Sequence, residues 1–325
     1  MPQEPSQTLL ERAGETAAGL GSLGEGRPRA RRALEVGIVV LIGAFLVGFI
    51  ATQWGRLPDY DWEFRPLWLL VSATGVTLFY AIQCEAWRAI LGSLGEHLDA
   101  RTARAIWGKS LVARYVPTNA LMVVGRVVMA EKHGVSKRGC LASIVYEAGL
   151  AVVTAVMVGA YFVITLPRLE DQPARYAILV VIPLALVVLH PRVFQRLADF
   201  ALRKLGRQTL PATLPFGRVL EIAVVFLVCW VAMGIGVAGF AAALHPLDLE
   251  DVPYAAAAYP VAFCVAVVTF VVPGGLGTRD AALAVSLAAV LPGAVATAIA
   301  VGFRIFQTVI ELLYVAAVTA LARAR

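Results

Sequence analysis

Long apolar runs separated by short polar loops dominate the hydrophobic pattern of this chain. A helix needs roughly 20 apolar residues to cross the hydrocarbon core of a bilayer, and several runs come close to or exceed that length. The runs lie at about 34–53, 66–91, 140–166, 176–190, 219–244 and 294–322. We therefore expect an all-α integral membrane protein with about six transmembrane helices.

Two further apolar stretches are interrupted by helix-breaking residues, so their pattern is not that of a single transmembrane helix. The stretch 106–134 has Pro117 in its middle, and its first arm of about 11 residues would cover only roughly 16 Å as a helix. The stretch 254–292 is broken at Pro273–Gly277. We interpret both as re-entrant helical hairpins with their tips at Pro117 and Pro273. An alternative remains open for the second, because 254–272 is nearly long enough to cross alone.

The positions of the charges set the expected orientation. The arginines at 27, 29, 31 and 32 precede the first span, and an excess of cations marks the cytoplasmic side of a membrane protein. Both termini are then cytoplasmic. Residues 1–32 are expected to be disordered, and 33–325 to form a single transmembrane domain with halves at about 34–166 and 176–322. The first hairpin would open inward and the second outward, as in an inverted-topology repeat.

Composition and motifs exclude several classes of function. The chain is 59% hydrophobic, and its net charge of +6 comes from cations in the loops, which argues against nucleic-acid binding. Neither a metal-binding motif nor a nucleophile–base arrangement appears, so we expect no cofactor, no metal and no enzymatic activity. Residues 193–205 form a basic amphipathic pattern, typical either of a helix on the inner leaflet or of an ordinary cytoplasmic loop helix.

The second hairpin contains the residues that most clearly indicate a binding site. Gly274, Gly275 and Gly277 break the helix, and Thr278 or Asp280 is expected to cap the helix that follows. The positive end of that helix, beside Arg279, would favour a phosphate or a carboxylate. The alternative is that Arg279 and Asp280 neutralise each other and only stabilise the bend.

Charged side chains inside other apolar segments are also candidates, because an ionisable residue within a membrane usually marks a substrate or ion path. Arg304, Gln307, Thr308 and Glu311 form one polar stripe on the last span. Span three carries Ser143, Glu147 and Thr154, and Glu147 is the expected counter-ion of an interior arginine. A structural pair of Arg304 with Glu147 or Glu311 is the alternative.

The first hairpin repeats this outline. Thr118 or Asn119 is a possible cap, and Arg126 follows on the same helical face. Arg114 and Arg126 would either face the interior or extend to the inner headgroups. At the end of span two, Glu85 and Arg88 are spaced for a local ion pair, and Ala232 and Gly236 indicate close helix packing.

The segment from Pro273 to Ala282, P-G-G-L-G-T-R-D-A-A, resembles the P-G-G-x-G-x-R-E signature of the lysylphosphatidylglycerol synthase transmembrane-region family, also described as flippase-like. Arg114-Tyr115-Val116-Pro117 with Gly125-Arg126 resembles its first motif, and Glu147 and Arg304 match its charged positions. The chain departs from the pattern at Thr118, where Gly is frequent, and at Asp280, where Glu is frequent. The resemblance covers most of 66–322.

The resemblance implies a lipid translocator without the aminoacyl-transfer domain of the named synthases. We expect a flippase of the cytoplasmic membrane that moves an anionic or phosphate-bearing lipid by alternating access. Arg279, Arg304 and Arg126 would bind the phosphate, and Glu147, Asp280 and Glu311 would balance charge or couple transport. The alternative is a non-transporting subunit that presents a polyprenyl-phosphate-linked sugar to a glycosyltransferase of envelope biosynthesis.

Overall fold

The computed structural model describes residues 63–113, 119–166, 190–204, 214–268 and 277–323, together with a few positions between 173 and 188. The described residues form α-helices joined by turns, as expected for the all-α class. The expected N-terminal segment and first span, most of the expected span 176–190, and both hairpin tips at Pro117 and Pro273 lie outside the described residues.

The helices of the first half follow the expected order of span, hairpin and span. The second of them begins at Asp99, whose carboxylate accepts hydrogen bonds from the backbone N–H groups of Arg101 and Thr102, and the fourth begins at Ser136, whose hydroxyl accepts from a backbone N–H in the first turn. The helices are α1 (Pro66–Ser93), α2 (Ala100–Val112), α3 (Asn119–Glu131) and α4 (Lys137–Thr165).

The second half repeats this order of lengths after one additional helix. That helix, α5, spans Pro191–Lys204 and places Arg192, Arg196, Leu197 and Phe200 on its exposed surface. The expected amphipathic helix is therefore present. The remaining helices are α6 (Phe216–Leu244), α7 (Val252–Val268), α8 (Thr278–Leu287) and α9 (Gly293–Arg323).

Four of the described helices, α1, α4, α6 and α9, are long and apolar enough to cross a membrane. Their bounds differ from the expected spans by a few residues at most, because uninterrupted apolar runs end at clear polar boundaries. By contrast, α2 and α3 have 13 residues each, so each is roughly 20 Å long. Helices α7 and α8 have 17 and 10 residues. The two interrupted stretches thus form pairs of short helices, and the members of each pair pack against each other.

The two halves meet most extensively along α1 and α6. A Cβ atom added to Gly75 would lie 2.7 Å from both the carbonyl oxygen of Ala232 and the backbone nitrogen of Gly236. The Ser72 hydroxyl donates a hydrogen bond to the carbonyl of Gly236 across the same contact. The close packing expected from Ala232 and Gly236 is therefore present, and small residues permit it.

Other contacts place the short helices between the long ones. Within the first half α2 packs on α1 and α3 packs on α4; within the second half α7 packs on α6 and α8 packs on α9. Between the halves, α4 contacts α6 and α7, and α9 contacts α1 and α2. The polar side chains of the short helices and of α4 and α9 consequently face a common interior.

Candidate functional site

The polar stripe of α9 faces the interior of the helix bundle, as its spacing predicts. Arg304, Gln307, Thr308 and Glu311 are all buried, and Arg304 has the largest exposed fraction of the four, at 8%. Ser143, Glu147 and Thr154 on α4 are buried as well. Buried polar groups need hydrogen-bond partners in place of water, so the partners of these side chains define the site.

A chain of hydrogen bonds runs from α8 to α9 through two tyrosines. The Arg279 guanidinium (Nη1) donates to the Tyr259 hydroxyl at 2.9 Å. The Gln307 amide (Nε2) donates to Tyr259 at 2.8 Å and to the Tyr80 hydroxyl at 3.1 Å. Tyr80 donates in turn to the Glu311 carboxylate (Oε2) at 2.7 Å. The chain joins α1, α7, α8 and α9, and it therefore links the two halves of the protein.

A second polar cluster surrounds Arg126 on α3. Its guanidinium forms a buried ion pair with Glu147 and donates to the Ser110 hydroxyl at 3.0 Å. The Trp107 indole N–H donates to the other Glu147 oxygen at 2.8 Å. The guanidinium carbon also lies 5.2 Å from the ring centre of Trp87 and 5.7 Å from that of Trp107. Arg126 is 3% exposed, so it faces the interior and does not extend to the headgroups.

The two clusters are neighbours. The rings of Tyr80 and Trp107 are 6.3 Å apart between centroids, so one residue of each cluster packs against the other. Tyr314 contacts both rings, with centroid distances of 5.8 Å to Tyr80 and 6.5 Å to Trp107. A movement of one cluster would therefore displace the other, because their aromatic rings are packed together.

The start of α8 differs in part from the expectation. Gly277, with φ of 85°, is the N-cap, and Thr278 is the first helical residue, with its hydroxyl oxygen buried and without a hydrogen-bond partner. Of the two residues expected as possible caps, Thr278 does not occupy the cap position, which Gly277 takes with a positive φ that favours glycine. Asp280 lies in the first turn of α8, where its negative charge is favourable at the positive end of the helix. No ion pair joins Arg279 and Asp280 within the described residues.

Several buried polar atoms of this region lack a hydrogen-bond partner. They are the Arg304 Nε, Gln307 Oε1, Thr278 Oγ1 and Asp280 Oδ2 atoms. In the part of the chain that the structure describes, neither Arg279 nor Arg304 forms a salt bridge, although Arg279 interacts electrostatically with the Asp280 carboxylate that follows it. Glu147 pairs with Arg126, and Glu311 accepts from Tyr80, so the structure does not contain the alternative pairs of Arg304. Guanidinium groups that form no salt bridge keep donors available for a carboxylate or a phosphate.

Some of the expected site residues fall outside the described residues. These are Gly274 and Gly275, the tip prolines Pro117 and Pro273, and Arg114 and Thr118. Asn119 begins α3, but its side chain is not described. At the end of α1 the expected Glu85–Arg88 ion pair is present at 2.7 Å, and Arg104 of α2 also pairs with Glu85.

Sequence reasoning missed Tyr80, Tyr259, Trp107 and Ser110, which supply the hydrogen-bond partners of the charged side chains. Tyrosine and tryptophan count as apolar in a hydrophobic pattern, and only their polar tips distinguish them. A usable signal existed, because a tyrosine hydroxyl deep within an apolar helix needs a partner. The identity of that partner depends on helix packing and cannot be read from spacing along one helix.

The sequence model of the lysylphosphatidylglycerol synthase transmembrane region matches residues 33–314 of the chain. The chain belongs to this family. No curated protein and no solved structure matches it. Membership in the lysylphosphatidylglycerol synthase transmembrane-region family, together with the four long apolar helices, indicates a multi-pass membrane protein with a lipid-related function.

Proposed function

We propose that this protein is a flippase that moves an anionic or phosphate-bearing lipid across the cytoplasmic membrane by alternating access. The observation that carries the proposal is that Arg279 and Arg304 form no salt bridge among the described residues, while Arg279 belongs to a hydrogen-bond chain that joins both halves and Arg304 lies one helical turn before Gln307 of that chain. A lipid phosphate would neutralise these charges while its acyl chains stay in the bilayer.

Arg126 would contribute at a different stage of transport. Its charge is balanced by Glu147 in this structure, so it can bind a phosphate only after Glu147 releases it. Glu147 then has the charge-balancing role, and exchange of the Arg126 partner between carboxylate and phosphate would accompany the change of access. A buried arginine that keeps a partner in each state avoids the cost of an unpaired charge.

The packing of the helices supports an inverted-topology repeat. If α1, α2, α3 and α4 are exchanged with α6, α7, α8 and α9, each close helix contact between these eight helices becomes another close contact, and α1–α6 maps onto itself. A two-fold relation between the halves produces this correspondence. Transporters use such repeats to build a substrate site between the halves and to open it alternately to the two sides. A subunit that only presents polyprenyl-phosphate sugar has no need of two matched hairpins.

We further propose that the protein is not an enzyme and that its partners are membrane lipids. Anionic phospholipid and polyprenyl-phosphate lipid share the phosphate that the arginines would recognise. Any cooperation with an envelope-biosynthesis enzyme would follow from delivery of the lipid to one leaflet.

The test is native mass spectrometry of the protein in mild detergent, followed by reconstitution into vesicles. Wild-type protein and the Arg138→Ala variant, which removes an exposed arginine of α4, should retain a defined anionic lipid. The Arg279→Ala/Arg304→Ala variant should lose it. The same variants should differ in moving a fluorescent anionic lipid between leaflets, measured by chemical reduction of the fluorophore in the outer leaflet. Equal retention of mixed lipids by all three proteins would refute the proposed site.

A further inference from the structure

The donors and acceptors of the hydrogen-bond chain between Arg279 and Glu311 give the chain a direction. The Tyr80 hydroxyl donates its single hydrogen to the Glu311 carboxylate at 2.7 Å. The atom of Gln307 that faces the Tyr80 oxygen at 3.1 Å must then be a donor, which assigns it as the amide nitrogen. Glu311 thereby fixes the orientation of the Gln307 amide.

The orientation of the Gln307 amide determines the hydrogen bonds that the Tyr259 hydroxyl can form. The same amide nitrogen lies 2.8 Å from the Tyr259 oxygen, so it donates there as well. The Arg279 guanidinium has no acceptor atoms and must also donate to that oxygen, at 2.9 Å. Both lone pairs of the Tyr259 oxygen are used, and its own hydrogen has no acceptor among the described residues. Tyr259 is 4% exposed, so water does not easily take that place.

A buried hydroxyl hydrogen without an acceptor costs free energy unless a ligand accepts it. A cation lies beside Tyr259, because the Arg279 guanidinium is 5.2 Å from the centre of its ring and donates to its oxygen. A ligand that meets an O–H donor beside a guanidinium group is best matched by an anion with several acceptor oxygens. A phosphate group has this chemistry.

We propose that the Tyr259 hydroxyl donates a hydrogen bond to the phosphate of the bound lipid, and that Glu311, Tyr80 and Gln307 are positioning residues that keep this hydrogen directed at the ligand. The inference rests on the proposed function, since it names a ligand contact of the same site. It adds a neutral donor to a set of residues that the sequence had limited to charged groups, glycines and helix caps.

The first test compares anionic-lipid binding by wild type and by Tyr259→Phe in nanodiscs containing phosphatidylglycerol. Tyr259→Phe keeps the ring under Arg279 and should weaken binding about tenfold or more, the effect of losing a hydrogen bond to a charged group. Tyr254→Phe is the matched control on the same helix, because its hydroxyl donates to the Thr165 carbonyl and not to the site. Soluble glycerol phosphate in place of the lipid shows whether the phosphate alone is recognised; binding of the lipid only would assign the headgroup in its bilayer as the source.

A second test separates donation by Tyr259 from acceptance. Fluorine beside the phenol oxygen makes the hydroxyl a stronger donor and a weaker acceptor, so 3-fluorotyrosine at position 259 should tighten lipid binding. Weaker binding would mean that Tyr259 acts only by accepting from Arg279 and Gln307, and the inference would be overturned. The fluorinated side chain has nearly the same shape as tyrosine, so the variant should fold like the wild-type protein.

The positioning role is tested by a double-mutant cycle. Tyr80→Phe should weaken lipid binding in the wild-type background and have little further effect in Tyr259→Phe, because Tyr80 acts through Tyr259. Fully additive losses would contradict the directed chain. If Tyr259→Phe binds like wild type while Arg279→Ala does not, this inference fails and the proposed function stands. If both variants bind like wild type, the proposed function fails as well.

Discussion

Arg126 and Arg279 occupy comparable places in the two halves, and their surroundings differ in one decisive respect. Each lies on the second helix of a short helical pair, and each guanidinium lies against an aromatic ring of the first helix, Trp107 or Tyr259. Arg126 forms a salt bridge with the Glu147 carboxylate, whereas Arg279 forms none within the described residues; it donates to the neutral Tyr259 hydroxyl and interacts with Asp280 only at longer range. At the scale of single residues, the first cluster is electrically balanced and the second is poised for an anion.

The balance at Arg126 predicts a large stability effect. Arg126→Ala would leave Glu147 buried with an unpaired charge, and removing one partner of a buried ion pair costs about 3–5 kcal/mol. We expect a pronounced fall in the thermal unfolding midpoint of the detergent-solubilised protein, measured by intrinsic fluorescence.

The paired variant Arg126→Leu/Glu147→Leu is the informative comparison. It removes both charges and should recover much of the lost stability, because apolar replacements of a buried pair are often neutral. Its lipid transport should still be impaired if Arg126 binds the phosphate during the cycle. A single Arg126→Ala variant that melts like wild type would show that Glu147 is hydrated or protonated, against the buried pair described above.

At the scale of helices, the approach of α1 and α6 holds the halves together. The backbones come so close at Gly75 that a methyl group there would overlap the backbone of α6. Overpacking of this kind typically costs about 1–3 kcal/mol. We expect Gly75→Ala to lower the unfolding midpoint, although alanine is the better helix former.

Gly92 provides the matched control for that prediction. It lies on the same helix, and an added Cβ would meet nothing within 4 Å. Gly92→Ala should therefore leave the unfolding midpoint unchanged or raise it slightly through helix propensity. If Gly75→Ala and Gly92→Ala behave alike, the tight contact between α1 and α6 does not limit stability.

At the scale of helices, the sequence predicts the long spans but not the partners of the buried polar side chains. The spans α1, α4, α6 and α9 were predictable, because an apolar run of bilayer length with polar ends has few other interpretations. The inward direction of Arg304 and Glu311 was also predictable from their helical spacing. The partners of these residues were not, since Glu147 could have met Arg304 or Arg126 and only tertiary packing selects Arg126. Tyr80 and Tyr259 gave no charge signal at all.

For the molecule as a whole, the side on which each short helical pair opens decides between two topologies. Between the turn after α3 and the turn after α8, the chain passes through α4, α6 and the expected span 176–190, most of which lies outside the described residues. Helices α4 and α6 have 29 residues each and are long enough to cross. If α7 and α8 return to the same side, the two turns lie on opposite sides only when 176–190 crosses as well.

Single cysteines at the two turns test this parity directly. His133 lies in the turn after α3 and Ala294 in the first turn of α9, and both are exposed. The native Cys84, Cys140 and Cys229 are buried, so a Cys264→Ala variant should react little with the thiol reagent before a new cysteine is introduced. In intact cells, a membrane-impermeant thiol reagent should label Ala294→Cys, while His133→Cys should react only after permeabilisation. That result requires an odd number of crossings, as an inverted repeat does. Labelling of both from the same side would require an even number, and the halves could not then be related by a two-fold axis in the membrane plane.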